Sequence, residues 1–290
     1  MATRTAKASR DPSKASGPPA AKVDAAGEPF TYPPPGRFEA DEIREGDPYE
    51  LSEGRLIQCF PTGGRGADAS TTGAAVLKSD PDVDAAGFDT GYSPNPDTLR
   101  APDLAVGNVP VEPGWVKGAP ALAVEYADTG QNEADLAVKI RELLEAGTRI
   151  LWVVRLTGER RVEIHEPDRE MRLAYPGEEL EAPGILRNPV RVEALYDWQI
   201  GQETTLRNLL QREGYGSLED VRAEGRAEAR AEGHAKGQAA SILGFLRARS
   251  LEVTEEQRSR IEATTDPTEL ERWVRRAAVV ESPDQLFTED

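Results

Sequence analysis

Cysteine occurs once in this chain, at Cys59, so no internal disulfide can form and no thiolate cluster can hold a metal. Histidine is almost as scarce. His165 and His234 stand far apart in sequence, which argues against a histidine-rich zinc site. No apolar run approaches the roughly 20 residues a membrane-spanning helix needs, and the opening MATRTAKASRDPSKASGPPAAK lacks the apolar centre of a signal peptide. Cytoplasmic residence is therefore the default expectation. Positive charge is also short: 35 Lys and Arg face 52 Asp and Glu, for a formal net charge of −17. The imbalance is steepest between residues 37 and 198, where 31 acids meet 17 bases. Such a surface binds a polyphosphate weakly unless its basic residues gather, and Arg100, Lys117, Lys139, Arg141 and Arg149 are the candidates for that gathering. The Gly-rich stretch PTGGRGADASTTGAAVLKSDPDV lacks both the Gly-Lys-Ser/Thr ending of a phosphate loop and the strand-bounded spacing of a dinucleotide fingerprint.

What is present divides the 290 residues into four parts. Residues 1–36, rich in Ala, Pro, Ser and Lys and without periodic apolar positions, read as a disordered arm. Residues 37–198 carry the apolar segments of a core. A short acidic helix is expected around Ala40–Glu45, YELSEGRLIQCF reads as a hairpin, and Asp68–Leu77 reads as a helix or loop over the sheet. LTGE turns RILWVVR into RVEIHEP, with His165 on an edge strand, and MRLAY and PVRVEAL supply further short strands. The order of these pieces predicts an α/β or α+β fold, a central mixed sheet with flanking helices. Residues 199–240 read as a charged helical spacer, whose repeat VRAEGRAEARAEGHAKGQA offers only alanine as apolar content. Its Gly225, Gly233 and Gly237 each cost up to about 1 kcal/mol in a helix interior. Residues 241–290 form a small α-helical module opened by the Thr254 and Gln257 capping box and by Asp266-Pro267. Its shared face would be Leu243, Leu246, Ile261, Leu270, Trp273 and Val274, and the expected use of that face is self-association, a homo-oligomer built through the C-terminal helices, or docking of a partner, with a helical cap on the preceding domain as the alternative.

The stretch from Asp103 to Trp152 holds the chemistry. In Ala121–Ala127 the side chains alternate, so Leu122, Val124 and Tyr126 share one face and Ala121, Ala123 and Glu125 the other. An acid in a run this apolar must be paired or bind a cation. From Asn132 the period becomes helical: Leu136, Ile140, Leu143 and Leu144 form one stripe between an Asn132 N-cap and a Gly147 stop. Lys139 borders that stripe. Asp135, four residues earlier, offers it an ordinary helix-surface partner. The alternative is a lysine reaching over the sheet to Asp103 and Glu125, the arrangement a metal-assisted phosphodiesterase needs. Two carboxylates hold the cation while the ammonium orients water or steadies the charge on phosphate.

Pro102-Asp103, Glu125 in its apolar strand and Lys139 on the following helix resemble the PD-(D/E)XK nuclease superfamily. More narrowly, YELSEGRLI, GFDTGYSPNPDTLRAPDLAV, AVEYADTG, the helix bearing Lys139 and RILWVVRLTGERRVEIHEP, together spanning Tyr49 to Trp198, resemble the bacterial Uma-two family of restriction-endonuclease-like proteins. The resemblance implies a restriction-endonuclease-like sheet and an endonuclease acting on nucleic acid, DNA in the first place. Its cofactor would be Mg²⁺ or Mn²⁺ on Asp103 and Glu125, and its catalytic set Asp103, Glu125 and Lys139. Glu50 and Glu53 of the hairpin are the auxiliary candidates. The chain departs from the family pattern at Ala127, where the lysine of the superfamily motif would stand, at Asp128 in place of a usual serine, and at Arg55 in place of a frequent glutamate. A histidine common after the first hairpin is missing. The competing expectation is a catalytically silent scaffold of the same fold that acts through its helical tail.

Overall fold

The computed structural model describes residues 36–288, so the arm read at the N-terminus lies, Gly36 apart, outside the described residues. β1 (Tyr49–Ser52) and β2 (Arg55–Gln58) form the expected hairpin. Its turn residues Glu53 and Gly54 both have positive φ, 50° and 76°, the pair of left-handed conformations whose twist matches that of the flanking strands. α1 (Gly64–Ser79) follows, then β3 (Ala86–Phe88), β4 (Leu104–Val106), β5 (Leu122–Ala127), α2 (Glu133–Glu145), β6 (Ile150–Arg155), β7 (Arg161–His165) and β8 (Arg172–Ala174). The six strands from β3 to β8 make one mixed sheet in sequential order. Within it only β5 and β6 run parallel, joined by α2 as the crossover. β9 (Glu179–Leu180) and β10 (Val190–Arg191) pair separately.

Apart from Glu125 and the terminal Arg155, β5 and β6 are apolar because both faces are covered. Val124, Tyr126, Trp152 and Val154 face a core shared with Val76 and Leu77 of α1. Ala123, Ala127, Leu151 and Val153 face Leu136 and Leu143 of α2. The small alanines let α2 lie low over its face, the face from which Glu125 projects. Asn132 caps α2 by accepting hydrogen bonds from the amides of Ala134 and Asp135, and Gly147, at φ 113°, stops the chain as the sequence predicts.

Gly73 of α1 sits where a Cβ would overlap the hydroxyl of Tyr126. That hydroxyl is buried and donates to the Leu195 carbonyl at 3.0 Å, so it can yield only by giving up its partner. Gly73→Ala should therefore lower stability by about 1–3 kcal/mol, read as a fall in thermal midpoint. An unchanged midpoint would show that α1 can shift freely.

Several expectations are corrected. The acidic segment at Ala40 makes a single 3₁₀ turn, Ala40–Glu42. His165 is not on an edge strand, because β8 pairs outside β7. PVRVEAL is a strand for only two residues and then a 3₁₀ turn, Val192–Leu195, that buries Val192, Ala194 and Leu195. The larger correction concerns α3 (Trp198–Arg212), assigned from sequence to the spacer. It packs on α1: Gly201 abuts Thr72, the buried Asn208 donates to the Val76 carbonyl, and Arg212 donates to the carbonyls of Ser79 and Asp80. These ties are polar, so apolar periodicity did not reveal them. The spacer thus begins at Ser217.

α4 (Leu218–Ala248) is one unbroken helix of 31 residues, about 46 Å long. The expected boundary at residue 240 falls inside it. Ala235, Ala239, Ile242 and Leu246 of α4 join Ile261 of α5 (Glu255–Ala263) and Leu270, Trp273 and Ala277 of α6 (Pro267–Ala277) in a second core. Leu243 and Val274 pack at its margin. The apolar face expected to bind a second chain is thereby buried within this one. No helix among the described residues is long and apolar enough to cross a membrane.

Candidate active site

Asp103 stands one residue before β4. The antiparallel register that sets Leu104 against Val124, carried one step further, sets Asp103 against Glu125 on the same face. Asp103 Oδ2 accepts a hydrogen bond from the Tyr126 amide at 2.6 Å, which fixes the carboxylate against β5. Lys139 of α2 reaches over this face: Nζ lies 2.9 Å from Glu125 Oε1 and 3.0 Å from Glu50 Oε1 of β1, and it donates to the Ala101 carbonyl at 2.7 Å. The surface pairing with Asp135 does not form. Asp135 instead accepts from the Asn132 side chain at 2.6 Å.

The structure thus brings Asp103, Glu125, Lys139 and Glu50 together. Glu53 is not part of the group, because it occupies the exposed hairpin turn. Arg100, expected in a basic cluster, instead joins it, with Glu142 and Ser52, which the sequence did not mark. Arg100, 2% exposed, donates from Nη1 to Glu50 Oε2 at 2.9 Å and from Nε to Glu142 of α2. Ser52 donates to the other oxygen of Glu142 at 2.6 Å. The one available signal for Glu142 was its position three residues after Lys139, on the same side of the helix.

A cavity of about 530 Å³ opens onto this group, lined by Glu50, Asp89, Asp103 and Lys139 with Tyr49, Phe60 and Trp115 on its walls. A smaller one of about 260 Å³ meets it along Thr62, Asp89 and Asp103. A family model described as "putative restriction endonuclease" matches residues 36–191, more than half the chain and all of this site. The chain belongs to the Uma2 family. A solved structure, a putative nuclease of the DUF820 group from Anabaena variabilis ATCC 29413, is similar at 20% identity with a TM-score of 0.48, covering 54% of this chain and 94% of the other. No curated protein matches.

The carboxyl groups of this Uma2 site are not equivalent. Burial pushes Glu125 up to about 8; the Lys139 charge opposes the rise, and Asp103 and Glu50 add to it. Burial raises Asp103 too, against the Lys139 ammonium and the Tyr126 amide. Asp89 is raised by burial and then by the Asp103 charge. Burial acts the same way on Glu50, but Lys139 and Arg100 outweigh it and hold the carboxyl below its usual range. Burial would lower Lys139, yet Glu125, Glu50 and Asp103 raise it, so the ammonium stays charged.

Among the described residues, no set of three or more His, Cys, Asp or Glu side chains forms a metal cage. Two carboxylates suffice for Mg²⁺, which keeps most of its waters. Glu125 Oε1 is buried, and the charge facing it is the Lys139 ammonium 2.9 Å away. That carboxyl, with Asp103 opposite, offers the oxygen donors a hard divalent cation takes. The basic residues do not gather: Arg100 and Lys139 are buried among acids, Arg141 faces Glu145, and Arg149 binds the carbonyls of Pro183 and Gly184.

Proposed function

We propose that this chain hydrolyses phosphodiester bonds of nucleic acid, DNA in the first place, as an endonuclease that depends on Mg²⁺ or Mn²⁺. The observation that carries the reading is Glu125, a carboxyl 7% exposed in an apolar strand, which faces Asp103 across the strand pair with the Lys139 ammonium 2.9 Å from its Oε1. Asp103 and Glu125 would hold the ion. When bound, it supplies positive charge to the phosphate and acidifies water. Lys139, pinned by the Ala101 carbonyl and kept charged by its acidic neighbours, acts as an electrostatic group: it orients the attacking water and holds charge building on the phosphate. Glu50, kept ionised by Arg100, anchors the ammonium. Membership of a family described as restriction endonucleases agrees with this reading.

The test is cleavage of supercoiled and linear DNA by the full chain with Mg²⁺ or Mn²⁺ and with chelator. Asp103→Asn and Lys139→Met should each lower the rate by about 10²–10³-fold, and Asp103→Asn should do so with a thermal midpoint near that of the wild type. Cleavage that survives chelator, or an undiminished Asp103→Asn, would overturn the proposal. One observation favours the catalytically silent scaffold instead: Lys139 is already engaged by Glu50 and Glu125 within the chain. No hydrolysis of any nucleic acid under any of these conditions would decide for it.

A further inference from the structure

We propose that the substrate class is single-stranded nucleic acid, held by stacking of its bases on Phe60 and Phe88 to either side of Asp103; this rests on the nuclease reading of the site. Phe60, 74% exposed, follows β2 and lines the larger cavity, and Phe88, 52% exposed, ends β3 and lines the smaller. Asp103 and Asp89 line both cavities, so the two rings flank the acidic pair. Phe60 joins no buried apolar cluster; Phe88, opposite Leu104, borders the apolar groove along Ala74, Leu77 and Val106 and leaves about half its surface open.

Scarce positive charge weakens phosphate contacts to duplex and single strand alike, which leaves stacking as the attraction the walls offer, and only unpaired bases can stack. Duplex affinity comes chiefly from neutralising phosphates with Lys and Arg, and among the described residues the only cationic side chain on the walls of either cavity is Lys139, already paired with two glutamates. Asp47, Glu50, Asp89 and Asp103 supply negative charge instead. Single strands can be held by aromatic stacking, which is sequence-tolerant and contributes about ten-fold or more in affinity per base. A strand crossing Asp103 with one base on each ring would place the phosphate between them beside the carboxylates.

Fluorescence polarisation of the full chain in chelating buffer reads binding without cleavage. The probes are a labelled mixed-sequence DNA 12-mer, its duplex, and the RNA of the same sequence. The expected result is at least ten-fold tighter binding of single strand than of duplex. Phe60→Ala and Phe88→Ala should each weaken the single strand about ten-fold, and Phe60→Trp should restore it. Tight binding of either the DNA or the RNA strand supports the inference, and the two arms tell which sugar is preferred. Equal or tighter binding of the duplex, indifference to both alanine variants, or no binding of any probe overturns it. The nuclease reading fails separately: single strands bound through Phe60 and Phe88 but never cut with Mg²⁺ or Mn²⁺ would count against hydrolysis alone.

Discussion

Arg100→Ala should remove roughly 3–5 kcal/mol of stability, the usual cost of breaking a buried charge pair from one side. The guanidinium is enclosed between Glu50 on the hairpin and Glu142 on α2, so its loss leaves two buried carboxylates facing each other. Lys139 still serves Glu50. Glu142 keeps only the Ser52 hydroxyl and becomes the uncompensated charge. At about 2–4 °C per kcal/mol, the thermal midpoint should fall by about 10 °C at pH 7. Adding Glu142→Gln should recover much of the loss, because the remaining partner is then neutral. The pH profile supplies a second readout. Glu50 is held below its ordinary range, so its contribution is fully present above the normal carboxylate value and lost as pH falls through the folded one. In Arg100→Ala that acid-side loss should shrink. A fall of under 3 °C, or no recovery by Glu142→Gln, would mean that the network does not hold the hairpin to α2.

How much of this site the sequence shows depends on the range of the signal. Glu125 is legible because alternation assigns its face locally, and Lys139 because a helical stripe does the same. Asp103 follows from the order of the elements, since adjacent antiparallel strands put residues of complementary register side by side. Arg100 and Glu142 are different. Each reads as an ordinary charged residue, and their burial depends on the hairpin at residues 49–58 folding back over α2, a contact across 50 residues for Glu50 and Arg100. α3 was hidden for the same reason, its docking on α1 resting on Asn208 and Arg212 rather than on an apolar stripe. In the C-terminal module the apolar positions were legible but their partner was not. Alanines in a charged repeat give no sign that Ala235 and Ala239 will be covered.

Titration of Mn²⁺ into the full chain should show affinity rising about ten-fold per pH unit between pH 6 and 8 and levelling above that, with one proton released per ion on the acid side. The reason is Glu125, whose carboxyl, raised to about 8 by burial, must lose its proton before both it and Asp103 can serve a cation. The same shift fixes the sign of the stability effect. Between the ordinary carboxylate range and about 8 the folded chain holds a proton that the unfolded chain has released. This group's contribution is therefore present at low pH and lost as pH rises through that window. Glu125→Gln never ionises, so it should gain stability relative to the wild type from pH 5 to pH 8 and bind Mn²⁺ at least 100-fold more weakly. Mn²⁺ should in turn raise the thermal midpoint of the wild type most at pH 8, where the site is deprotonated and binding to the native state alone is strongest. A pH-independent affinity, or Glu125→Gln binding Mn²⁺ as the wild type does, would show that Glu125 does not ligate the ion. Its buried charge would then be a partner for Lys139 alone.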